Sequence, residues 1–253
     1  MIFLKTEEEI QIMKEAGKRL AEVLNILKKE TKEGIETKYL DDLAYKLIKE
    51  RDSEPAFLNY KVYGKPPFPA SLCVSVNEII VHGIPSDYKM KNGDLVKLDI
   101  GLKYKGYYAD MACTVGVGEI SDEDKKLISA VEEAFFNALK YVYPGNTLGD
   151  VGWAISNTAK KYGVSVADKL IGHGIGKNLH EEPQVLNVGL RGHDLEIEEG
   201  MVLAIEPMFV LGDGRVVELK DGSFKSKDNS KTAHFEHTVA VLKNGPMILT
   251  KES

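Results

Sequence analysis

Apolar residues near the start of the chain recur with the period of two amphipathic helices. Thr6 and Glu9 form a capping-box pattern, which predicts that the first helix begins after Thr6. A second helical period runs over residues 38–49, and Gly34 breaks the chain between the two periods. Over residues 71–81 the sequence becomes rich in Val and Ile, which is typical of strands.

The same order of elements then begins again after a β-hairpin predicted over residues 95–115. Ser121 and Asp124 repeat the capping-box pattern, and Gly145 interrupts the helical period that follows them. A further helix is predicted around residues 151–159. Later strands are predicted at about residues 170–181, 201–210, 215–219 and 234–242.

Helix, breaker, helix and strands therefore occur twice, over about residues 6–118 and 119–250. No linker rich in Pro or Ser separates the two parts. This order predicts a single α+β domain of residues 1–253, in which two similar halves share one sheet layer. The alternative is a chance likeness between two pairs of helices, because the halves share few identical residues.

The predicted hairpin carries two carboxylates on one face. Side chains alternate along a strand, so a turn at residues 104–105 places Asp99 opposite Asp110, whereas a turn at residues 105–106 shifts the pairing by two positions. In both registers the two carboxylates share a face. Their like charges need a positive partner, which favours a bound divalent cation. The alternative is a solvated hairpin with two exposed aspartates.

Three further candidate ligands lie in apolar or glycine-rich surroundings. Glu206 and Glu236 interrupt apolar strands, where an unpaired carboxylate costs several kcal/mol or more. His173 lies among three glycines, and His180 follows seven residues later. A single buried Glu is more often a salt-bridge partner and a lone His more often structural, but together these residues indicate a site. Oxygen ligands with one imidazole suit Mn, Fe, Co or Zn. Two divalent ions of this kind would balance the charges of the four carboxylates, which predicts a two-metal hydrolase.

Composition narrows the class of protein without changing this prediction. Asp and Glu outnumber Lys and Arg by 39 to 33, so the net charge of -6 argues against nucleic acid as the main partner. No apolar run reaches the roughly 18 residues of a membrane span, and the first residues do not resemble a secretory signal. Cys73 and Cys113 form no disulfide framework. We therefore expect a cytoplasmic protein.

At these residues the sequence resembles the methionine aminopeptidases, specifically their short bacterial type I form. The resemblance covers nearly the whole chain, and its motifs lie at residues 75–78, 81–85, 172–176, 180–183, 204–208 and 235–238. It implies the pita-bread fold, with two pseudo-symmetric α+β halves whose helices pack on a curved antiparallel sheet. It also implies removal of the initiator methionine from nascent proteins, with a preference for a small second residue. The interval between Glu206 and Glu236 lacks the long helical insertion of the type II form.

The resemblance implies a role for each candidate ligand. Asp99 would bind one metal, His173 and Glu206 would bind the other, and Asp110 and Glu236 would bridge both. Glu206 would also move a proton during hydrolysis.

Three histidines receive different roles by the same resemblance. His180 would hydrogen-bond the scissile carbonyl or its oxyanion, and His82 would lie near the scissile nitrogen. The alternative for His82 is a structural residue at the end of a strand. His237 is expected to face away from the metals, because alternation places it opposite Glu236.

The resemblance also implies a methionine pocket formed by Phe57, Tyr60, Phe68, Cys73, Leu179 and Met208. The chain departs from the usual pattern at Leu179, at Gly101 and at Ser223, where the family often has an aromatic residue, a Thr and a Trp respectively. Residues 61–67 look like an insertion. A monovalent cation, Na⁺ or K⁺, is expected at Asn77, Ile79 and Thr232.

Expected partners are the N-terminal Met peptides of nascent chains, with transient ribosome association, and the protein is expected to be a monomer. The nearest alternative is an X-Pro aminopeptidase or prolidase, which shares the five metal ligands but normally carries an additional N-terminal domain. A second alternative is a non-catalytic pita-bread protein that binds a partner, although such proteins usually lose metal ligands.

Overall fold

Four helices lie in the part of the chain that the computed structural model describes, residues 2–61 and 66–251. They are α1 (Glu7–Glu30), α2 (Thr37–Lys49), α3 (Asp122–Leu139) and α4 (Leu148–Tyr162). Both predicted capping boxes are confirmed, because the side chains of Thr6 and Ser121 each accept from the backbone three residues on, and Glu9 and Asp124 reciprocate. Among the described residues no helix is long and apolar enough to cross a membrane.

Fifteen short strands are present in the described ranges, and all their pairings are antiparallel. Their bounds are β1 Glu54–Pro55, β2 Leu72–Val76, β3 Ile79–Val81, β4 Leu95–Tyr104, β5 Tyr107–Gly116, β6 Ser165–Val166, β7 Gly172–Gly174, β8 Glu181–Val185, β9 Val202–Ile205, β10 Met208–Val210, β11 Val216–Glu218, β12 Phe224–Ser226, β13 Thr232–His234, β14 Glu236–Leu242 and β15 Gly245–Ile248.

Nine strands form the main sheet, in the order β1-β4-β5-β14-β9-β7-β8, with β2 also paired to β4 and β15 to β14. Two three-stranded sheets, β13-β10-β6 and β11-β12-β3, lie beside it. The sheet joins strands from both ends of the chain, because β14 lies between β5 and β9. The assignment of residues 1–253 to one domain stays a prediction, and so does the division into halves.

The prediction of one strand over residues 170–181 is wrong. Only Gly172–Gly174 pairs as β7, and β8 begins at Glu181. Between them the chain turns, with the Gly176 amide donating to the Asn178 carbonyl and the Asn178 amide donating to the Glu181 carboxylate. These local hydrogen bonds replace those that a continuous strand would make. The predicted strand over residues 71–81 is also divided, at Asn77, whose φ of 51° turns the chain between β2 and β3.

The two helix pairs cover one face of the main sheet. On β4, Leu98, Ile100 and Leu102 pack with apolar residues of α1 and α2. On β14, Val239 and Val241 pack with apolar residues of α3 and α4. Because strand side chains alternate, the residues between them point to the opposite face of the sheet. That second face carries the candidate site.

Candidate active site

The β4–β5 hairpin has the second of the two predicted registers. Tyr104 pairs with Tyr107, so the turn lies at Lys105 and Gly106, which both have positive φ as a type I′ turn requires. Asp99 therefore pairs with Ala112, and Asp110 pairs with Gly101. The two carboxylates are diagonal neighbours on one face, as expected.

Neighbouring strands bring the other predicted ligands to the same face. Ala112 pairs with Glu236 on its other side, so Asp99 and Glu236 flank it on adjacent strands. His173 pairs with Ala204, and Ala204 pairs with Thr238, two residues after Glu236. Glu206 follows directly after the end of β9. The sheet thus aligns all five predicted ligands along its centre.

Side-chain atoms of these residues lie close together. Asp110, His173 and Glu236 offer ligand atoms within 4.8 Å of one another. Glu206 Oε1 lies 3.7 Å from His173 Nε2. Asp99, Asp110, Glu206 and Glu236 are each at most 9% exposed, although all four carry carboxylates. Burial of this kind is rare unless the charges are compensated.

Burial raises the pKa of every carboxyl group in this cluster. It raises the pKa of Asp99 to about 7, with the nearby charge of Glu206 adding to the effect. The pKa of Glu206 also rises to about 7 because of burial. The pKa values of Asp110 and Glu236 are raised well above the usual range, by burial first and then by neighbouring carboxylates. A bound divalent cation would offset this repulsion, so the donor set fits a metal centre.

Hydrogen bonding determines which ring nitrogen of His173 is available as a ligand atom. Its Nδ1 lies 2.8 Å from the Gly174 carbonyl, to which it can only donate, and this leaves the Nε2 lone pair free. The flanking glycines are required by close packing, since a Cβ at Gly172 would lie 2.3 Å from the Ala204 carbonyl oxygen. At Gly174 it would lie 2.2 Å from that of Glu182. The Gly-His-Gly motif therefore lets β7 lie tightly between β8 and β9.

A threonine hydroxyl fixes the strand that carries Asp110. Thr238 Oγ1 accepts from the Asp110 amide at 2.9 Å and donates to the Asp110 carbonyl at 2.8 Å. These bonds join β14 to β5 where their backbone pairing, Glu236 with Ala112 and His237 with Met111, has ended. The Asp110 side chain is consequently held in register with Glu236.

His234 also belongs to this cluster, although it was not among the predicted ligands. His234 Nε2 lies 3.4 Å from Glu206 Oε2 and 3.8 Å from Glu236 Oε2, and these three residues form a second group of potential metal ligands. The side chain is buried, and within residues 2–61 and 66–251 neither ring nitrogen has a hydrogen-bond partner. Burial lowers the pKa of His234 to about 4, so the ring is neutral at pH 7. Its position two residues before Glu236 was a signal for the same face.

His180 and His82 lie next to the cluster. The His180 ring lies 4.4 Å from that of His173, and its Nδ1 is 2.7 Å from the Tyr60 hydroxyl. Desolvation, together with the charges of His173 and His82, lowers the pKa of His180. His82 has a left-handed backbone with φ of 59°, directly after β3. These positions are compatible with the predicted roles, which stay predictions.

His237 faces away from the carboxylates, on the helix side of the sheet. Its Nδ1 lies 2.9 Å from the Thr250 hydroxyl, and its ring packs against Phe135 and Phe235.

Most of the predicted pocket residues form one apolar cluster beside His180. Phe57, Cys73 and Leu179 are buried in it, and Tyr60 and Phe68 pack against it. The Phe57 and Phe68 rings meet edge to face at 6.5 Å. Met208 is separate from this group, because it packs with Ile80, Val81, Ala167, Val210 and Val216.

Two departures from the family pattern have structural explanations. A Cβ at Gly101 would lie 2.9 Å from Phe57 Cε1, so Gly101 gives the Phe57 ring room to approach β4. Ser223 closes a turn by donating from Oγ to the Asp221 carboxylate. The next residue, Phe224, supplies an aromatic ring 5.7 Å from that of His82. The apparent insertion at residues 61–67 includes residues 62–65, which lie outside the described residues.

The residues expected to hold a monovalent cation do lie together, but a lysine already donates to one of their oxygen atoms, the Asn77 carbonyl. The Thr232 hydroxyl lies 2.8 Å from the Asn77 carbonyl oxygen and 3.1 Å from that of Ile79. The Asn77 carbonyl also accepts from the Thr232 amide and, at 2.7 Å, from Lys97 Nζ. The Thr232 amide and Lys97 Nζ occupy the two lone pairs of the Asn77 carbonyl, so the oxygen atoms at Asn77, Ile79 and Thr232 do not fit the expected Na⁺ or K⁺.

Comparison with known proteins agrees with this geometry. The model of Metallopeptidase family M24 matches residues 11–243. The chain is 45% identical to a methionine aminopeptidase of Clostridium perfringens over 251 residues, 99% of each protein. It is 38% identical to the crystal structure of methionine aminopeptidase from Rickettsia prowazekii, with a TM-score of 0.96 over 99% of this chain and 100% of that one.

A prolidase from Pyrococcus horikoshii shares the fold at 24% identity and a TM-score of 0.79, and this chain covers 64% of it. These matches confirm the predicted α+β pita-bread fold, a curved antiparallel sheet with helices packed on it. The chain therefore belongs to Metallopeptidase family M24, within which it is similar over nearly its whole length to methionine aminopeptidases.

Proposed function

We propose that the protein removes the N-terminal initiator methionine from nascent proteins and prefers a small second residue. One observation carries the proposal: the five predicted ligands share one buried face beside an apolar cluster that contains Phe57, Cys73 and Leu179. An unbranched thioether side chain packs well in such surroundings. The full-length similarity to methionine aminopeptidases supports the same substrate.

Two divalent ions of the Co, Fe, Mn or Zn class belong to this proposal. Asp99 would hold one ion, His173 and Glu206 would hold the other, and Asp110 and Glu236 would contact both. When bound, such a pair activates water at neutral pH and polarises the carbonyl of the first residue. Glu236 Oε1 is buried and has no hydrogen-bond partner in the described part of the chain, which supports a ligand role.

The proposed roles of three side chains in the reaction follow from their positions. Glu206 would accept a proton and return it during hydrolysis, because its carboxylate is buried beside His173 and the other candidate ligands. His180 would donate from Nε2 to the scissile carbonyl oxygen, because Nδ1 faces the Tyr60 hydroxyl. His82 would hydrogen-bond the scissile nitrogen and assist its departure as an amine.

The proposed substrate also indicates where in the cell the enzyme acts. A newly translated N-terminus becomes accessible at the ribosome, so transient ribosome contact and a cytoplasmic location belong to the same proposal. Each substrate is handled by one site on one chain, and we propose that the enzyme acts as a monomer.

A direct assay tests the proposal. The metal-free protein is reconstituted separately with Fe²⁺ under anaerobic conditions, Mn²⁺, Co²⁺ and Zn²⁺, and is given Met-Ala-Ser and an X-Pro dipeptide. We expect cleavage of Met-Ala-Ser. Removing a ligand in His173→Ala should abolish it, whereas His193→Ala, at an exposed histidine, should not. Cleavage of the X-Pro dipeptide alone would identify the enzyme as a prolidase-type peptidase instead.

A further inference from the structure

Lys97 is an almost fully buried lysine on the main sheet, on the same strand face as Asp99. It lies on β4, two residues before Asp99, and is 1% exposed. Its Nζ donates to the backbone carbonyls of Asn77, at 2.7 Å, and Leu95, at 3.4 Å. Lysine is among the residue types least often buried, because removing an ammonium group from water is costly unless oxygen atoms replace the water.

The acceptor of the Lys97 ammonium is part of a rigid oxygen-lined turn. Asn77 connects β2 to β3 in a left-handed conformation, and its side chain is held at both ends, by Asp94 and by the Leu95 amide. Its carbonyl oxygen faces the Thr232 hydroxyl, which also approaches the Ile79 carbonyl. Carbonyl and hydroxyl oxygens in this arrangement are the groups that replace the hydration shell of an alkali cation.

A carboxylate lies beside this turn, since Asp94 accepts from the Asn77 side-chain amide at 2.9 Å. A negative charge at this distance favours a cation nearby. A lysine ammonium resembles K⁺ in being a compact point charge, and it can donate up to three hydrogen bonds. Its stem is anchored in β4, so it reaches the Asn77 carbonyl without losing the translational entropy that a free ion would lose.

We propose that the Lys97 ammonium is a built-in replacement for a monovalent cation at Asn77, Ile79 and Thr232. The protein then needs neither Na⁺ nor K⁺ to hold this region together. The ammonium joins the β2–β3 turn to β4. Through Asn77 it also joins β13, which begins at Thr232 and ends at His234, beside the carboxylates of the site.

Replacement of Lys97 by a small polar residue should convert the region into an ion site. In Lys97→Ser the ammonium and its stem are removed, and the carbonyls of Asn77 and Ile79 with the Thr232 hydroxyl remain. We expect the Tm of wild-type protein to be the same in NaCl, KCl and tetramethylammonium chloride at equal ionic strength. The Tm of Lys97→Ser should be lower in tetramethylammonium chloride and should recover most of the loss, with saturation, in NaCl or KCl.

Lys5→Ser is the matched control. Lys5 is also buried and donates to a backbone carbonyl, that of Phe3, but its other partner is the Glu181 carboxylate. We expect Lys5→Ser to lose Tm equally in all three salts. A folded Lys97→Ser protein whose Tm does not distinguish the three salts would overturn the proposal.

Crystals supply a readout that needs neither turnover nor a melting curve. Thallous ion replaces K⁺ and scatters anomalously, so wild-type crystals soaked in thallous acetate should show no anomalous peak among the Asn77, Ile79 and Thr232 oxygens. Crystals of Lys97→Ser, or of Lys97→Gln if the serine variant does not fold, should show one. A thallium peak there in wild-type protein would contradict the proposal, and either result leaves the proposed peptidase activity to its own assay.

Discussion

Glu236 is the residue that connects the two groups of potential metal ligands. Its carboxylate lies with Asp110 and His173 in one group and with Glu206 and His234 in the other. Each of these side chains is held by the backbone of a different strand or strand end, so a change at one residue alters the charge balance without dismantling the sheet. Single-residue effects here should therefore appear first in metal affinity.

We predict that His234→Gln lowers the affinity for Mn²⁺ or Co²⁺ by about 10-fold or more, the range seen when a group that orients metal ligands is removed. The physical reason is that the imidazole lies against both Glu206 and Glu236 and restricts their carboxylates. Isothermal titration of metal-free protein measures this. His237→Gln is the matched control, since His237 is also buried but lies on the helix side of the sheet. Equal affinities in the two folded variants would contradict the prediction.

At the scale of elements, the β4–β5 hairpin determines both the spacing of the carboxylates and the position of the pocket wall. Gly101 is opposite Asp110 on this hairpin, and its carbonyl accepts from the Ala56 amide. Gly101 therefore lies beside both Asp110, a candidate metal ligand, and the Phe57 ring. We expect a side chain at this position to disturb the Phe57 ring more than the carboxylates.

We predict that Gly101→Thr raises the KM for a Met peptide by about 10-fold with little change in metal affinity. The new Cβ would meet Phe57 Cε1 at 2.9 Å, and relieving such overpacking typically costs about 1–3 kcal/mol. Steady-state kinetics and metal titration measure the two effects. Gly106→Asn, at the open turn of the same hairpin, is the control, because Asn tolerates positive φ and a Cβ there meets nothing within 4 Å. An unchanged KM in Gly101→Thr would show that Phe57 does not line the pocket.

At the scale of the whole molecule, the carboxylate cluster lowers stability when no metal is bound. A carboxyl group whose pKa is raised by folding stabilises the folded state below its unfolded pKa, and that contribution is lost as pH rises towards the folded pKa. For Asp99 this window runs from 3.8 to about 7. Buried histidines with lowered pKa values, such as His234 and His237, act in the opposite sense as pH falls below about 6.5. A comparison of variants separates the two effects.

We predict that metal-free Asp99→Asn has a higher Tm than metal-free wild type at pH 7.5, and that this difference shrinks towards zero near pH 5. A neutral amide removes one of the mutually repelling charges, which matters only where the wild-type carboxyl would ionise. Adding Mn²⁺ at pH 7.5 should reverse the order, because the variant lacks a ligand. Differential scanning calorimetry measures the Tm in all three conditions. A difference in Tm that does not change with pH would contradict the prediction.

Much of this molecule could be predicted because it depends on near neighbours in the chain. Capping boxes use residues three apart, so both Thr6 and Ser121 were located correctly. Strand alternation placed Asp99 and Asp110 on one face of the hairpin without knowledge of the pairing. It also placed His237 on the face of its strand that points away from Glu236. Resemblance to a known family predicted the pita-bread fold. It also predicted the residues of the pocket, among which Met208 lies apart from the rest.

Sequence by itself determined which residues share a strand face, because that follows from a local backbone period of two. Only the tertiary structure decided between the two hairpin registers, because that choice depends on positive φ at Lys105 and Gly106. It also decided which side chains lie next to His234 and which carbonyl accepts from Lys97. Lys97 lies two residues before Asp99 on β4 and therefore on the same strand face. The carbonyl that accepts its hydrogen bond belongs to Asn77, 20 residues away in the sequence. Contacts of that range depend on how strands pack, which no local pattern records.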